Sequence, residues 1–213
     1  MRFHGYFRSS AAYRCRIALN LKGIDHEFVP VSLLGGDQRS ESYLALNPQG
    51  LVPALEVDGQ VFTQSLAIIE WLDEYQPEPA LLPADRDLRA RARAFAGVIA
   101  CDIHPLQNLR VLNFLRNDIA QPESVVEAWL QRWLGDGLAA CEALLAREPR
   151  RGDFAFGDTP GLADICLVPQ LFSADRFKVS LDGMPRLRDV AEACEALPAF
   201  ARAHPSKQPD HAG

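Results

Sequence analysis

Over the first 82 residues, short apolar runs alternate with helical ones. Met1 to Tyr6, with Phe3 and Tyr6 around a glycine, reads as a short strand. From Ala11 to Leu21, Cys15, Ala18 and Leu19 recur at helical spacing, Ile17 and Leu21 widen that face, and Gly23 stands where a C-terminal cap is expected. "EFVPV" at 27–31 reads as a strand whose Pro30 suits a sheet edge. A glycine pair and polar residues at 35–40 lead to a short helix in "SESYLAL", which ends before Asn47-Pro48. "VPALEVDGQVF" predicts a hairpin, because two apolar runs flank Asp58-Gly59, a dipeptide suited to a tight turn. Ser65 then opens "SLAIIEWLDEY", where Leu66, Ile69, Trp71 and Leu72 oppose Glu70, Asp73 and Glu74. The order is βαβ, helix, ββ, helix.

The pattern changes in "QPEPALLPADRD", 76–87, which is rich in proline and lacks periodicity. Beyond it the strand signals disappear. Leu88 to about Asn117 is a long helical pattern with Pro105 inside, where a kink is expected. Pro122 to Arg147 places Val126, Trp129, Leu130, Trp133, Leu134, Leu138, Cys141 and Leu145 on one stripe, weakened in its middle by Gly135 and Gly137. "FGDTPGLADICLVPQLFSADRF" begins a helix near Gly161 whose apolar run implies burial, and two shorter helices follow at Arg186–Ala196 and Pro198–Ala203. The tail "PSKQPDHAG" is expected to fray. These signals predict an α/β domain over 1–82, a linker at 83–87, and an all-helical domain over 88–213 that contributes a substrate pocket.

Composition narrows the function more than the fold. The 213 residues are 48% hydrophobic and 23% charged, as in ordinary globular proteins, and the net charge of -6 argues against nucleic acid as the main partner. No run reaches membrane-spanning length and Met1–Gly5 lacks the apolar core of a leader, so a cytoplasmic protein is expected. The five cysteines, at 15, 101, 141, 166 and 194, show neither CxxC nor zinc-like spacing, so no disulfide framework and no metal site is expected. Cys15 sits a turn inside its helix and reads as core packing. No P-loop, GxGxxG, HExxH or paired-carboxylate pattern is present.

Candidate chemistry gathers at four places. Ser9 and Ser10 stand where a strand hands over to a helix, so either hydroxyl can cap the helix or, with the first-turn N–H groups, stabilise an anion; Arg8 beside them can hold a carboxylate. In "QGLVPALEVDGQVFTQS", a cis Val52-Pro53 bond would expose the Val52 N–H and carbonyl to an extended peptide ligand, and Gln64-Ser65 at a helix start suits an α-carboxylate or simple capping. In "CDIHPLQNLR", His104 and Asn108 are four apart and expected to be neighbours on one helix, with Arg110 off their stripe. Arg176 closes the apolar run of 162–172, where the helix dipole favours a cation.

Taken together these residues resemble the zeta class of glutathione transferases, which includes the maleylacetoacetate and maleylpyruvate isomerases. "FRSSAAYRCRIALNLKG" is similar to the class's N-terminal motif, and "NPQGLVPAL", "QSLAIIEWL", "CDIHPLQNLRVL" and "FGDTPGLADICLVPQ" extend the likeness along nearly the whole chain. The resemblance implies a thioredoxin-like N-terminal domain, an all-helical C-terminal domain, a homodimer and glutathione as cofactor. It implies that Ser9 or Ser10 stabilises the glutathione thiolate, that Gln49 and Val52 hold its backbone, and that Gln64 and Ser65 hold its γ-glutamyl carboxylate. It places His104 and Asn108 beside the same pocket, implies that Arg8 and Arg176 bind the carboxylates of a small dicarboxylic substrate, and lets Arg110 assist either ligand. Two positions depart from the pattern: Ala11 stands where the class commonly has cysteine, and Gly161 where the helix cap is usually Ser or Thr. The first removes any role of that thiol, and the second is expected to weaken the local helix start slightly.

The activity so implied is cis–trans isomerisation by reversible addition of the thiolate to a dicarboxylic enone. Two other readings stay open. One is a transferase that leaves glutathione attached to a small electrophile, with Tyr6 as an alternative thiol activator. The other is a glutathione-binding module without turnover.

Overall fold

The computed structural model describes residues 1–211. Strands β1 (Arg2–Gly5), β2 (Glu27–Pro30), β3 (Ala54–Val57) and β4 (Gln60–Thr63) form one sheet in the order β2-β1-β3-β4. β1 runs parallel to β2 and antiparallel to β3, with Phe3 opposite both Phe28 and Leu55. β2 lies at an edge, as its Pro30 predicts. β3 and β4 are joined by Asp58 and Gly59, both at positive φ (49° and 78°), the backbone that a tight two-residue hairpin requires.

α1 (Ser10–Lys22) crosses from β1 to β2 and packs with α3 (Ser65–Tyr75). Between them Ile17, Ala18, Leu19, Ile68, Ile69 and Leu72 are fully buried with Phe3 and Leu55. Ile68 takes the inward place expected of Leu66 and Trp71; Trp71 instead stacks between Phe62 and Tyr75, at 4.7 and 4.9 Å. A second apolar cluster of Tyr6, Val31, Tyr43 and Val52 receives Phe7, Leu33 and Leu46, where α2 (Glu41–Leu46) supplies Tyr43 and Leu46.

α1 departs from the single apolar face its spacing predicts. Arg14, Arg16 and Lys22 are 1%, 3% and 2% exposed, so this helix is buried nearly all round. Buried cations persist only where acceptors meet them. Lys22 Nζ donates to Asp73 Oδ1 (2.6 Å) and to the carbonyls of Gln76 (2.7 Å) and Pro79 (2.6 Å). Arg16 donates to the carbonyls of Ala203 (3.0 Å) and Phe7 (2.9 Å).

Two compact units result: Met1–Leu81 together with the chain from Ala196 on, and Leu82–Glu195. The helical domain expected over 88–213 therefore loses its last stretch to the α/β unit, because α9 (Pro198–Ala203) packs on α1 and Asn20 donates to the Ala199 carbonyl (2.8 Å). The tail expected to fray is folded over 205–211, and its last two residues, 212 and 213, lie outside the described residues. Pro205–Lys207 form a helical turn, Gln208 donates back to the carbonyls of Arg202 and His204, and Asp210 accepts the Phe7 N–H.

In the second unit, α4 (Arg86–Gly97) is capped by Asp85, whose carboxylate accepts the Leu88 N–H at 2.7 Å. The expected long helix does not merely kink at Pro105. A π-helical turn (Val98–Ile103) and a tight turn (His104–Gln107) follow, and the backbone becomes extended at Asn108 before α5 (Leu109–Asn113). α6 (Glu123–Ala146) runs unbroken through both glycines. Gly137 has a packing reason: a Cβ there would lie 2.4 Å from Ile103 Cγ1, so the helix can approach the π turn only without a side chain. Trp133 is partly exposed and meets the Trp129 ring edge-on at 5.6 Å, and Val126, Leu130, Leu134, Leu138, Cys141 and Leu145 carry the buried stripe. α7 (Leu162–Arg176) is buried through most of its length, as its apolar run predicts, and packs with α4 and with α8 (Pro185–Glu195). No helix among the described residues is long and apolar enough to cross a membrane.

Candidate active site

The α/β unit holds two helix starts that carry most of the expected chemistry. A four-residue connection, Tyr6-Phe7-Arg8-Ser9, links β1 to α1. Ser9 is the N-cap of α1: its backbone is extended (φ -70°, ψ 119°) and its Oγ accepts the Ala12 N–H at 3.2 Å. Capping uses the hydroxyl as acceptor, so its proton stays available for donation. Ser10 is the first helical residue and is 7% exposed. The two readings of the pair, cap and anion site, are therefore divided between atoms rather than mutually exclusive. The Arg8 guanidinium lies 5.7 Å from the centre of the Phe7 ring.

The second start is that of α3. Gln64 occupies the N-cap position at φ 70°, ψ 117°, a conformation costly for a residue with a Cβ, and makes no side-chain cap bond. Ser65, read from sequence as a possible cap, is the first helical residue instead. Its Oγ accepts from Arg14 Nη1 (3.3 Å) and its carbonyl oxygen meets Cys15 Sγ (3.8 Å). Cys15 is thus buried packing, as expected. Arg14 Nε and Nη2 have no hydrogen-bond partner among the described residues. A nearly buried guanidinium beside unsatisfied first-turn N–H groups makes this helix start strongly attractive to a carboxylate. Gln64 Nε2 donates to Gln49 Oε1 at 2.7 Å, so two expected ligand-holding residues, fifteen apart in sequence, are brought together.

Val52 precedes Pro53 through a cis bond, as its place before a strand suggested. Its side chain belongs to the second apolar cluster, while its N–H and carbonyl have no hydrogen-bond partner among the described residues. Two donors converge on the Leu51 carbonyl just before it: Tyr43 Oη (2.8 Å) and Asn47 Nδ2 (2.7 Å). Burial raises the Tyr43 phenol to about 12, so it remains a donor at neutral pH.

In the helical unit the expected helix-face relation of His104 and Asn108 does not form. His104 opens the tight turn, whereas Asn108 (φ -63°, ψ 143°) caps α5 by accepting the Arg110 N–H on Oδ1 at 3.1 Å. A proline one residue after His104 and an Asn that competes for backbone N–H groups end the regular helix between them. The turn is held by the Trp129 indole, which donates to the Leu106 carbonyl (2.8 Å), and by a reciprocal amide pair, Gln107 with Gln170, at 3.0 and 3.2 Å. Arg110 is exposed. Arg176 is the last residue of α7, exposed, with its guanidinium 4.7 Å from the Phe177 ring centre.

The start of α7 corrects the expected weakness at Gly161. Glycine offers no capping side chain, but Asp164 three residues on accepts the Gly161 N–H (2.8 Å) and the Ala155 N–H (2.9 Å). Half of a capping box thus suffices. Burial pushes the Asp164 carboxyl up to about 6, against the pull of those N–H groups.

Arg14, Arg16 and Asp210 are not among the candidate residues of the sequence. A pair of arginines two apart within an apolar helix is a signal for the first two; Asp210 has none in its neighbourhood.

Residues 3–80 match the family model of the glutathione S-transferase N-terminal domain and residues 123–201 that of the C-terminal domain. The fold and the anion-ready helix starts agree with that class. A maleylpyruvate isomerase of Ralstonia sp. is 50% identical over all of both chains, and a maleylacetoacetate isomerase of Pseudomonas aeruginosa 52% identical over 99% of this chain and 98% of its own. The holo structure of a maleylpyruvate isomerase, a bacterial zeta-class enzyme, superposes with a TM-score of 0.97 at 50% identity over the whole of both chains. A maleylacetoacetate isomerase from Methylobacterium extorquens with bound malonate and glutathione gives 0.95 at 42% identity, again over both whole chains. The chain belongs to the glutathione transferase family, in its zeta class of maleylacetoacetate and maleylpyruvate isomerases.

Proposed function

We propose that this protein is a glutathione-dependent cis–trans isomerase that converts a small dicarboxylic enone, maleylacetoacetate or maleylpyruvate, to its fumaryl isomer. The observation that carries the reading is the pair of anion-ready helix starts in one unit, Ser9-Ser10 on α1 and Ser65 on α3, tied together through Arg14. The donor set fits glutathione. Ser65, the first-turn N–H groups of α3 and the charge of Arg14 suit its γ-glutamyl carboxylate; the unpaired Val52 peptide suits its backbone; Gln49 and Gln64 lie between.

When bound, glutathione would supply a thiolate for reversible addition to the cis double bond. Ser9 or Ser10 donates a hydrogen bond from its hydroxyl to that sulfur, and the start of α1 lowers the thiol pKa further. Arg8 and Arg176 bind the two substrate carboxylates and stabilise the negative charge that moves onto the conjugated carbonyl oxygen as the carbon–sulfur bond forms. The family likeness also assigns Arg110, His104 and Asn108 to ligand binding. We infer a cytoplasmic homodimer, on the family and the acidic net charge, with neither nucleic acid nor membrane as partner.

The test is turnover of both cis acids, each with and without glutathione. Product that contains no glutathione, formed at a rate dependent on glutathione, is the expected result. Consumption of glutathione in proportion to product would replace isomerisation by conjugation, and binding without turnover would leave a ligand-binding module.

A further inference from the structure

The connection that carries Arg8 and presents Ser9 is gripped from one side by a residue remote in sequence and from the other by an arginine of the next helix. The Phe7 N–H donates to Asp210 Oδ2 at 2.8 Å, across 203 positions. The Phe7 carbonyl accepts from Arg16 Nη2 at 2.9 Å, and the Tyr6 carbonyl from both Arg16 Nη1 (3.4 Å) and the Ser9 N–H (3.0 Å). Arg16 is anchored in turn by Nε on the Ala203 carbonyl (3.0 Å) and lies over the Tyr13 ring at 5.2 Å. The His211 ring meets Phe7 edge-on at 5.1 Å. Every polar atom of the Phe7 backbone is therefore bound to a charged side chain.

We propose that Asp210 and Arg16 are positioning residues for the thiolate site: they clamp the two sides of the Phe7 peptide and so set where Ser9, Ser10 and the first N–H groups of α1 point. Stability alone is a poor account of this arrangement. Asp210 Oδ1 is buried without a hydrogen-bond partner among the described residues, and leaving a carboxylate oxygen so placed is costly. A connection this short is closed by a single internal hydrogen bond among the described residues, from the Ser9 N–H to the Tyr6 carbonyl, and a donor that moves by a fraction of an ångström stabilises a thiolate less well. The opposite charges of Asp210 and Arg16 attract, which holds both in register with the loop between them. The same contacts explain why α9 and the tail leave the helical unit: their docking on α1 delivers Asp210 to the connection.

This inference rests on the assignment of Ser9 or Ser10 to the glutathione thiolate, so the experiment first measures that assignment. The thiol pKa of bound glutathione is read from thiolate ultraviolet absorbance against pH, in wild type and in Ser9→Ala, Ser10→Ala, Asp210→Ala and Asp210→Asn. A depressed pKa in wild type that rises in one serine variant upholds the site. Asp210→Ala is then expected to raise the bound-thiol pKa by about one unit and lower kcat/KM at neutral pH roughly tenfold, one unit being a factor of ten. Glutathione KM stays within about twofold, because Gln64 and Ser65 are untouched. Asp210→Asn, which keeps an acceptor oxygen for the Phe7 N–H, should retain most of the wild-type pKa shift. An Asp210→Ala protein that melts lower but keeps the wild-type thiol pKa overturns the proposal, as does an Asn variant as impaired as the alanine one. If no serine variant moves the pKa, the site assignment itself has failed.

Discussion

The two units bury polar groups for different ends. In the α/β unit the interior holds cations, Arg14, Arg16 and Lys22, each aimed at irregular backbone or at a helix start. In the helical unit it holds a neutral amide pair, Gln107–Gln170, and one carboxylate, Asp164, which fasten one helical segment to another or to its own cap. A charge withdrawn from water needs acceptors, and loop carbonyls supply Arg16 and Lys22 with them in numbers that regular helices cannot, whereas Arg14 has only the Ser65 hydroxyl among the described residues and keeps two donors open. The contrast bears on the proposed chemistry: Arg14 and Arg16 hold the segments proposed to bind the thiolate and the γ-glutamyl carboxylate, Lys22 ties the far ends of α1 and α3, and the helical unit presents Arg110 and Arg176 on its surface.

The comparison breaks most visibly at Lys22. Lys22→Met removes the donor shared by Asp73 and the carbonyls of Gln76 and Pro79, and is expected to cost about 3–5 kcal/mol. Chemical denaturation followed in both units would show the α/β unit losing stability first; equal loss in a matched helical-unit variant would erase the contrast. Next in size is the serine pair. One of Ser9→Ala and Ser10→Ala is expected to lower kcat/KM about 100- to 1000-fold, the usual loss for a removed oxyanion donor. The other should act mainly on α1 stability, by about 1 kcal/mol if it is the cap. Steady-state kinetics paired with melting curves separates them.

Asp164 sharpens the opposite half of the comparison. Asp164→Ala orphans the Gly161 and Ala155 N–H groups, at an expected cost of about 1–3 kcal/mol without loss of glutathione affinity. Its pH dependence has a definite sign. Burial raises the folded carboxyl from 3.8 to about 6, so between those values the native chain binds more protons than the unfolded one. Its contribution to stability is therefore full below the lower value, declines as pH rises, and is level above the higher; the total change is about 3 kcal/mol. Asp164→Asn should flatten that slope, and an unchanged slope would assign it to other groups. At Gly137 alanine must displace Ile103, at a similar expected cost of about 1–3 kcal/mol and with kcat/KM nearly unchanged.

Several features were legible in sequence because their cause is local. The Asp58-Gly59 turn, the edge position of Pro30, the start of α1 at the serine pair and the stripe on α6 each follow from a few consecutive residues. The relation of His104 to Asn108 was misread because helical periodicity was extended across Pro105, where the Asn108 side chain competes successfully for the Arg110 N–H. Gly161 looked weak because the rescue comes from Asp164 and from Ala155, which lies outside the helix. Trp133 fitted its stripe by spacing yet is partly exposed, since spacing marks a face without fixing its width.

The sequence alone determined the element types, the change from α/β to helical character, the serine pair at a helix start and the family likeness that names its chemistry. These rest on periodicity, on turn residues and on motifs whose parts are neighbours in the chain. Only the tertiary structure decided that Arg14 backs Ser65, that Gln49 meets Gln64, and that Ser9 caps while Ser10 begins the helix. It alone decided that a tail expected to fray returns through Asp210 to the connection before the serines. A buried charge or a remote carboxylate has no local signature; its partners are carbonyls and N–H groups that every residue carries, and folding selects which of them it meets.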